Sequence, residues 1–192
     1  LFFYKFGRFF YSDNLGDTFI EIKASETQNV YSLFSITRNG TLFGLKSNGG
    51  LYRSIDDGKT WTFACTGLNY PAFIDFQFIS DSIMLALTLD GLFYTLDAGN
   101  NWTFLIESHQ GKTYIGHYKI EVYFVDYGNL YYFKDLKSNP ILVSRIVPQF
   151  GPNIQFRVNE ISGTLFYWDE LYLYRSIDKG ANWDASQIAG IG

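Results

Sequence analysis

The chain has 192 residues, with 15 Lys and Arg against 19 Asp and Glu, so its formal net charge is −4. Hydrophobic residues make up 47% and aromatic residues 20%, which is the composition of a core-forming, strand-rich protein. Nucleic-acid binding is excluded as a function class, because counterion release requires clustered cations that this chain lacks. Lys5 and Arg8 interrupt the longest apolar run, so no segment has the length of a membrane span.

An octapeptide recurs along the chain. Its copies start at residues 12, 54, 95 and 176, so successive starts lie 42, 41 and 81 residues apart, the last gap being two periods. The most complete copy is Ser54–Trp61. A fifth, eroded copy is predicted near residue 135, where Asp135 is kept but the glycine and tryptophan positions hold Lys137 and Pro140. A fixed period of this length is typical of repeat architectures.

Each repeat is predicted to contain four short strands. In the second repeat they are Val30–Ile36, Thr41–Lys46, Leu51–Ser54 and Thr60–Cys65. No helical period is sustained, and connections of two to six residues favour antiparallel meanders. Four-stranded units about every 41 residues predict an all-β fold, a β-propeller of antiparallel blades, of which about 4.7 are present. The predicted blades are 1–24, 25–66, 67–107, 108–147 and 148–192 of a single propeller domain.

The residue types of the octapeptide have a local structural explanation. Ser54 and Asp56 can accept hydrogen bonds from turn amides, Gly58 supplies a positive φ, and Trp61 returns a large apolar surface to the sheet. The alternative, catalytic or calcium-binding carboxylates, is disfavoured because equivalent carboxylates one blade apart cannot converge on one atom. The positions assigned this structural role are Ser12, Gly16, Phe19, Ser54, Asp56, Gly58, Trp61, Thr95, Asp97, Gly99, Trp102, Asp135, Ser176, Asp178, Gly180 and Trp183. We expect the three repeated tryptophans to be buried.

This octapeptide resembles the Asp box, and the chain resembles the Asp-box (BNR) repeat propellers. That group includes sialidases, sortilin-type receptors, xyloglucan-cleaving glycosidases and photosystem-assembly factors. The resemblance extends over the whole chain as architecture and rests on good copies at 54–61, 95–102 and 176–183. It implies that the box marks the fold and lies on the face opposite the active site.

The opposite ends of the strands therefore carry the candidate ligand-binding turns. Most are built from small turn residues, and the exceptions are Trp168, Asp169, Glu170, Asp126, Tyr127, Asn69, Tyr70 and His109. An aromatic ring beside carboxylates suits sugar binding, through stacking and hydroxyl contacts. For Trp168 the alternative interpretation is a core aromatic at a strand end.

Cysteine, histidine and arginine restrict the chemistry. Cys65 is the only cysteine and is interpreted as a small buried hydrophobe, while His109 and His117 are the only histidines. We therefore expect no metal and no cofactor. A sialidase resemblance would imply three arginines that bind a carboxylate, but only Arg145 and Arg157 remain unexplained by the repeat or its turns, and two cannot form that triad.

The leading hypothesis is a noncatalytic propeller that serves as a binding or scaffold module of a larger extracellular or cell-surface protein, with a glycan or protein ligand. The sequons Asn39–Thr41 and Asn101–Thr103 are consistent with secretion. The alternatives are a glycoside hydrolase of sialidase or xyloglucanase type and a protein-assembly factor or sortilin-like receptor. Because the first repeat lacks an innermost strand, we expect further blades from sequence outside this segment or from another chain.

Overall fold

The structure is a computed structural model that describes residues 2–5, 8–22, 30–37, 39–46, 50–68, 73–109, 113–145 and 155–188. Within these ranges the chain forms strands and turns and contains no helix. The strands are β1 (Phe2–Lys5), β2 (Arg8–Tyr11), β3 (Ile20–Ile22), β4 (Val30–Ile36), β5 (Leu42–Lys46), β6 (Leu51–Ser54), β7 (Thr62–Phe63), β8 (Phe73–Phe78), β9 (Met84–Thr88), β10 (Gly91–Thr95), β11 (Thr103–Glu107), β12 (Thr113–Tyr118), β13 (Glu121–Asp126), β14 (Asn129–Phe133), β15 (Ile141–Arg145), β16 (Gln155–Val158), β17 (Leu165–Trp168), β18 (Tyr172–Ser176) and β19 (Asp184–Gln187).

These strands assemble into sheets in strict chain order. The first sheet contains β1–β3, and the second to fifth sheets contain β4–β7, β8–β11, β12–β15 and β16–β19. The octapeptide connects β2 to β3 in the first sheet and the third strand to the fourth in each of the others. We call each of these connections an octapeptide turn. The predicted all-β series of four-stranded antiparallel sheets is therefore confirmed.

The chain divides into two compact units. Unit 1 comprises Leu1–Ala72, Ser80–Leu85 and Phe93–Thr103, and so holds the first two sheets and the octapeptide turn of the third. Unit 2 comprises Phe73–Ile79, Ala86–Leu92 and Phe104–Gly192, and so holds β8 with the fourth and fifth sheets. Within unit 2, β12 lies beside both β8 and β16, which makes the first strands of three sheets neighbours.

The core of unit 2 lies between its fourth and fifth sheets. Inward-facing positions of both sheets are buried, as expected where alternate residues of two strands meet. The cluster consists of Tyr123, Val125, Leu130, Tyr132, Phe156, Leu165 and Tyr167. Burial of this apolar area stabilises the packing of the two sheets.

The octapeptide turn is held by its own side chains. The Ser54 hydroxyl accepts a hydrogen bond from the Gly58 amide at 2.8 Å and donates one to Asp56 at 2.7 Å. Asp56 also accepts bonds from the Thr60 amide at 2.9 Å and the Thr60 hydroxyl at 2.6 Å. The same pattern recurs in the turns that start at residues 12, 95 and 176. These bonds account for the residue types at the repeated positions.

Two consecutive residues of each well-formed octapeptide turn have positive φ. Gly58 has a φ of 83°, and Asp57 before it has a φ of 58°. The fourth octapeptide position is left-handed in Leu15, Ala98 and Lys179 as well. The sequence predicted this conformation for the glycine alone. The bonds of the surrounding side chains evidently offset the cost of a left-handed non-glycine residue.

The octapeptide turn also binds the preceding sheet. In unit 1, the Trp102 ring nitrogen donates to the Ala64 carbonyl at 2.8 Å, and Arg53 donates to the Ala98 carbonyl at 3.0 Å. In unit 2, Lys179 donates to Glu121 at 2.6 Å. Burial raises the pKa of the Glu121 carboxyl group, but hydrogen bonds from Lys179 and two neighbouring tyrosines lower it by more. The pKa of Glu121 is therefore lowered overall. The turns therefore join successive sheets.

Two sequence predictions about the repeats require correction. The fourth strand of the second sheet, predicted over Thr60–Cys65, is shortened to Thr62–Phe63. At its start, the Thr60 amide donates to Asp56 within the turn. At its end, the Leu51 amide donates to the Cys65 sulfur instead of to a main-chain carbonyl of the neighbouring strand. Trp61 and Trp102 are buried as predicted, but Trp183 is half-buried. Its ring packs edge-on against Tyr167 and is covered on that side.

Cys65 is buried, as the sequence predicted, and burial raises its pKa to about 11. Its thiol is therefore neutral and unreactive at neutral pH.

Among the described residues, no helix has the length and apolar character to span a membrane.

The octapeptide aspartates predict an acid-dependent loss of stability. Bonds from Thr60 lower the pKa of Asp56 to about 2, so this group stabilises the fold fully above its unfolded pKa of 3.8 and loses that contribution as pH falls toward 2. Asn14 holds the corresponding turn with an amide oxygen, so Asp56→Asn should retain the turn. We expect urea unfolding to show a shallower decline in unfolding free energy between about pH 4 and 2 for Asp56→Asn than for wild type. Identical pH profiles would contradict the proposed role of the Asp56 charge.

Candidate functional site

The turns between second and third strands form the edge of unit 2 opposite the octapeptide turns. We call residues 126–129 and 168–172, together with His109, the turn edge. In the fourth sheet, Asp126 ends β13 and pairs with Asn129 across the turn. In the fifth sheet, Asp169 accepts the amides of the residues that close the corresponding turn. Antiparallel topology places both turns at the same end of their sheets.

His109 and Asp126 form a close pair at this edge. The Nδ1 atom of His109 lies 2.6 Å from Oδ2 of Asp126, and the His109 amide donates to the same carboxylate at 3.1 and 3.2 Å. The Asp126 side chain is 3% exposed, whereas that of His109 is 71% exposed. Asp126 therefore orients an accessible imidazole rather than meeting a ligand itself.

A buried polar side chain lies beside this pair. Thr113 is the cross-strand neighbour of Asp126. Its hydroxyl is buried and has no hydrogen-bond partner among the residues that the structure describes. Buried hydroxyls that lack a hydrogen-bond partner are uncommon in folded proteins, so this one is an unusual polar position beside the pair.

Tyr127 follows Asp126 and is 68% exposed. Its φ of 50° is a left-handed conformation that a large residue adopts at a cost. The next residue, Gly128, also has a positive φ. The turn thus holds the Tyr127 ring at the surface.

Trp168 and Asp169 have different roles in the fifth sheet. Trp168 is the last residue of β17, is half-buried, and pairs with Gln155 and Leu173 on the neighbouring strands. The Asp169 carboxylate accepts the amides of Leu171 at 2.8 Å and Tyr172 at 2.7 Å. Asp169 therefore shapes the turn, while the Trp168 ring remains partly accessible.

The remaining candidates are Glu170, Asn69 and Tyr70. Glu170 is exposed in the turn after Asp169. Asn69 and Tyr70 lie outside the described residues. The structure therefore brings His109, Asp126 and Tyr127 together in the fourth sheet and places Trp168, Asp169 and Glu170 at the equivalent end of the fifth.

Three charged or polar side chains on the first strands of unit 2 were not predicted as a group. Asp75 on β8, Tyr114 on β12 and Arg157 on β16 form this inner-strand cluster. Burial raises the pKa of Asp75, opposed by the Phe76 amide and the Arg157 charge. Burial also raises the pKa of Tyr114, again opposed by Arg157. The Arg157 charge therefore lowers the pKa values of groups on β8 and β12 against the effect of burial.

Part of this cluster carried a sequence signal. The sequence indicates Arg157 and Arg145 as possible anion ligands, and Arg145 is exposed at the end of β15. Asp75 stands out as a carboxylate within the aromatic strand Phe73–Phe78. Tyr114 had no distinguishing signal.

His117 is separate from the turn edge. It is 7% exposed, and its Nε2 lies 3.9 Å from a carboxylate oxygen of Glu160. Its Nδ1 has no hydrogen-bond partner within the described ranges. Those ranges also contain no cluster of three potential metal-ligating side chains.

Comparisons with known proteins relate the chain to propeller structures. No protein-family model matches the chain, and no curated protein does. A solved structure of YCF48 bound to D1 peptide has a TM-score of 0.61 at 14% identity, over 95% of this chain and 60% of its own. The structure of YCF48 from Cyanidioschyzon merolae has a TM-score of 0.65 at 14% identity, and the match covers 95% of this chain and 67% of that one. The structure of the GH74 xyloglucanase from Xanthomonas campestris has a TM-score of 0.59 at 18% identity, and the match covers 93% of this chain and 34% of that one.

These similarities define the class of fold. At such identities they show architecture alone, and together with the four-stranded sheets they confirm the predicted β-propeller. The chain spans 60% of the length of the first YCF48 structure and 34% of the xyloglucanase, so it corresponds to part of each.

Proposed function

We propose that this chain is a noncatalytic β-propeller module that binds a protein segment or a glycan at the turn edge of unit 2. One observation carries the proposal: the carboxylates of Asp126 and Asp169 hold the local structure, while the adjacent His109 and Tyr127 are exposed and Trp168 is half-buried. Accessible aromatic rings on a rigid scaffold suit stacking and burial against a ligand.

The comparisons are consistent with both ligand classes. The YCF48 structure contains a bound peptide, and the GH74 structure is named a xyloglucanase. We favour the protein segment because Arg157 is an exposed cation on β16, in the same sheet as Trp168, and can bind the carboxylates or carbonyls of a peptide. A glycoside hydrolase is the alternative, and it requires two carboxylates available to the substrate. The engagement of Asp126 and Asp169 with protein groups favours binding.

We further propose that the octapeptide turns are Asp boxes with a structural role, and that the module belongs to an extracellular or cell-surface protein. Hydrogen bonds within the turns support the first statement. Exposure of the sequon residue Asn39 supports the second. The Asn101 side chain instead donates to Asp97 at 2.8 Å, so a glycan at that residue would disturb its turn.

The binding proposal predicts a specific effect of Trp168→Ala. Wild-type protein should bind members of a random-sequence peptide array or of a glycan array that includes xyloglucan and sialylated oligosaccharides. Trp168→Ala should weaken that binding about tenfold or more, equivalent to about 1.4 kcal/mol. The matched control is Phe63→Ala, which removes a 54% exposed aromatic ring from β7 and should leave binding unchanged.

The same experiment separates the alternatives. Binding to neither array, or equal binding by Trp168→Ala and wild type, would contradict the proposed site. Release of fluorophore from aryl glycosides by the wild-type protein would instead favour the hydrolase.

A further inference from the structure

Four polar residues form a row across the fourth sheet at its turn edge. The strand pairings align them in the order Thr113, Asp126, Asn129 and Arg145, and we call these residues the polar row. Residues that pair across strands have their side chains on the same face of a sheet. The fourth sheet has a neighbouring sheet on each side within unit 2, because β12 lies beside both β8 and β16.

The polar row lies on the face opposite the core cluster of unit 2. Val125 and Leu130 belong to that cluster. Asp126 and Asn129 are their immediate neighbours along β13 and β14, and adjacent strand residues face opposite sides of a sheet. The register between β14 and β15 shifts after Leu130. Because a bulge of this kind redirects side chains, Arg145 is aligned with Asn129.

The polar row changes from buried to exposed along its length. Thr113 and Asp126 are buried, Asn129 is half-buried and Arg145 is exposed. Neither the Asn129 amide nor the Arg145 guanidinium has a hydrogen-bond or ion-pair partner among the residues that the structure describes. The buried Thr113 hydroxyl also lacks one within the same ranges. The row therefore contains three polar groups that a ligand can satisfy.

The available groups match the parts of an acidic residue in a peptide. A guanidinium presents N–H groups in a fork that fits both oxygens of a carboxylate. The Asn129 amide can both donate to and accept from a main-chain peptide unit. Nδ1 of His109 lies 2.6 Å from the Asp126 carboxylate, so we assign the proton to Nδ1, which leaves Nε2 to accept from a ligand N–H. Asp126 itself is 3% exposed, so its charge is shielded from the ligand.

We propose that the ligand of the turn edge is an acidic protein segment, an inference that rests on the proposed binding function. Arg145 binds an aspartate or glutamate carboxylate of that segment. Asn129 and Nε2 of His109 bind its main-chain amide groups, and the 68% exposed Tyr127 packs against it. An acidic residue supplies the carboxylate and the N–H donor together, which favours a peptide over an acidic glycan.

The random-sequence peptide array tests the selectivity. The chain has a formal net charge of −4, so overall electrostatics alone would favour basic peptides. We expect the bound peptides to be enriched in Asp and Glu instead. The tightest-binding acidic peptide, measured by fluorescence anisotropy, should lose about tenfold or more in affinity when its Asp and Glu residues are replaced by Asn and Gln.

Arg145→Gln tests whether this one residue determines the selectivity. The variant should bind the acidic peptide about tenfold more weakly than wild type, and the neutral peptide as weakly as wild type does. The matched control is Lys134→Gln, which removes one charge from an exposed site of the same sheet and should leave both affinities unchanged. Because Arg145 is exposed, urea unfolding of Arg145→Gln should match that of wild type.

The outcomes separate this inference from the proposed site. Binding to neither array, or peptide binding that Trp168→Ala leaves unchanged, would overturn both. The acidic-segment inference alone is overturned if Trp168→Ala weakens peptide binding but the bound peptides show no preference for Asp and Glu. Binding of the acidic peptide by Arg145→Gln with wild-type affinity would overturn it as well. So would binding of sialylated oligosaccharides without binding of acidic peptides.

Discussion

Replacing Trp61 with Ala is expected to lower the free energy of unfolding by about 3–5 kcal/mol, the usual cost of truncating a packed large aromatic residue. Trp61 is 4% exposed, and its ring nitrogen donates to the Gly58 carbonyl at 2.9 Å. The substitution therefore creates a cavity and removes a hydrogen bond of the octapeptide turn.

Asp135→Ala is the matched comparison in the eroded repeat. The Asp135 carboxylate accepts the Lys137 amide at 2.8 Å, a single turn bond whose loss should cost less than about 1 kcal/mol. The turn also retains the bond from the Ser138 amide to the Asp135 carbonyl. Urea unfolding of both variants under the same conditions measures the difference. Equal losses would show that the octapeptide tryptophan has no special stabilising role.

Gly67→Ala is expected to destabilise the protein by about 2–5 kcal/mol, through left-handed backbone strain and a steric conflict. Gly67 has a φ of 95°, and an added Cβ would lie 2.4 Å from the Trp102 carbonyl oxygen. That neighbour is backbone, and the Trp102 amide is itself bonded to the Thr66 carbonyl at 2.8 Å, so neither side can move easily.

Gly40→Ala separates strain from packing. Gly40 has a φ of 87°, but an added Cβ would have nothing within 4 Å. Gly40→Ala should therefore lower the free energy of unfolding only by the backbone strain, about 1–2 kcal/mol. Thermal or urea unfolding of the two variants measures both values. If Gly40→Ala costs as much as Gly67→Ala, the close approach between Gly67 and Trp102 is energetically unimportant.

The repeat made much of the fold predictable. Each octapeptide marks the turn before the last strand of its sheet, and short polar residues with glycine have few other structural uses at that spacing. The fourth octapeptide position was not predictable, because Leu15, Asp57, Ala98 and Lys179 share a left-handed conformation without sharing a residue type. The shortening of β7 depended on the Cys65 sulfur and the Leu51 amide, which is a contact between strands.

The candidate site was less predictable because its contacts are nonlocal. Trp168 and Tyr127 were identified from their unusual residue types in turns. The bond from His109 to Asp126 joins residues 17 positions apart, and neither residue type indicates the other. The inner-strand cluster is still harder to predict, since Asp75, Tyr114 and Arg157 come from three different sheets.

Hydrogen–deuterium exchange of the dilute protein, with and without the tightest-binding array ligand, tests the central claim most directly. Ligand binding at the turn edge should slow exchange in peptides that contain residues 109, 126–129 and 168–172. Exchange in the octapeptide turns at 54–61 and 95–102 should remain unchanged. Protection confined to those octapeptide turns, with the turn edge unaffected, would contradict the proposed binding site.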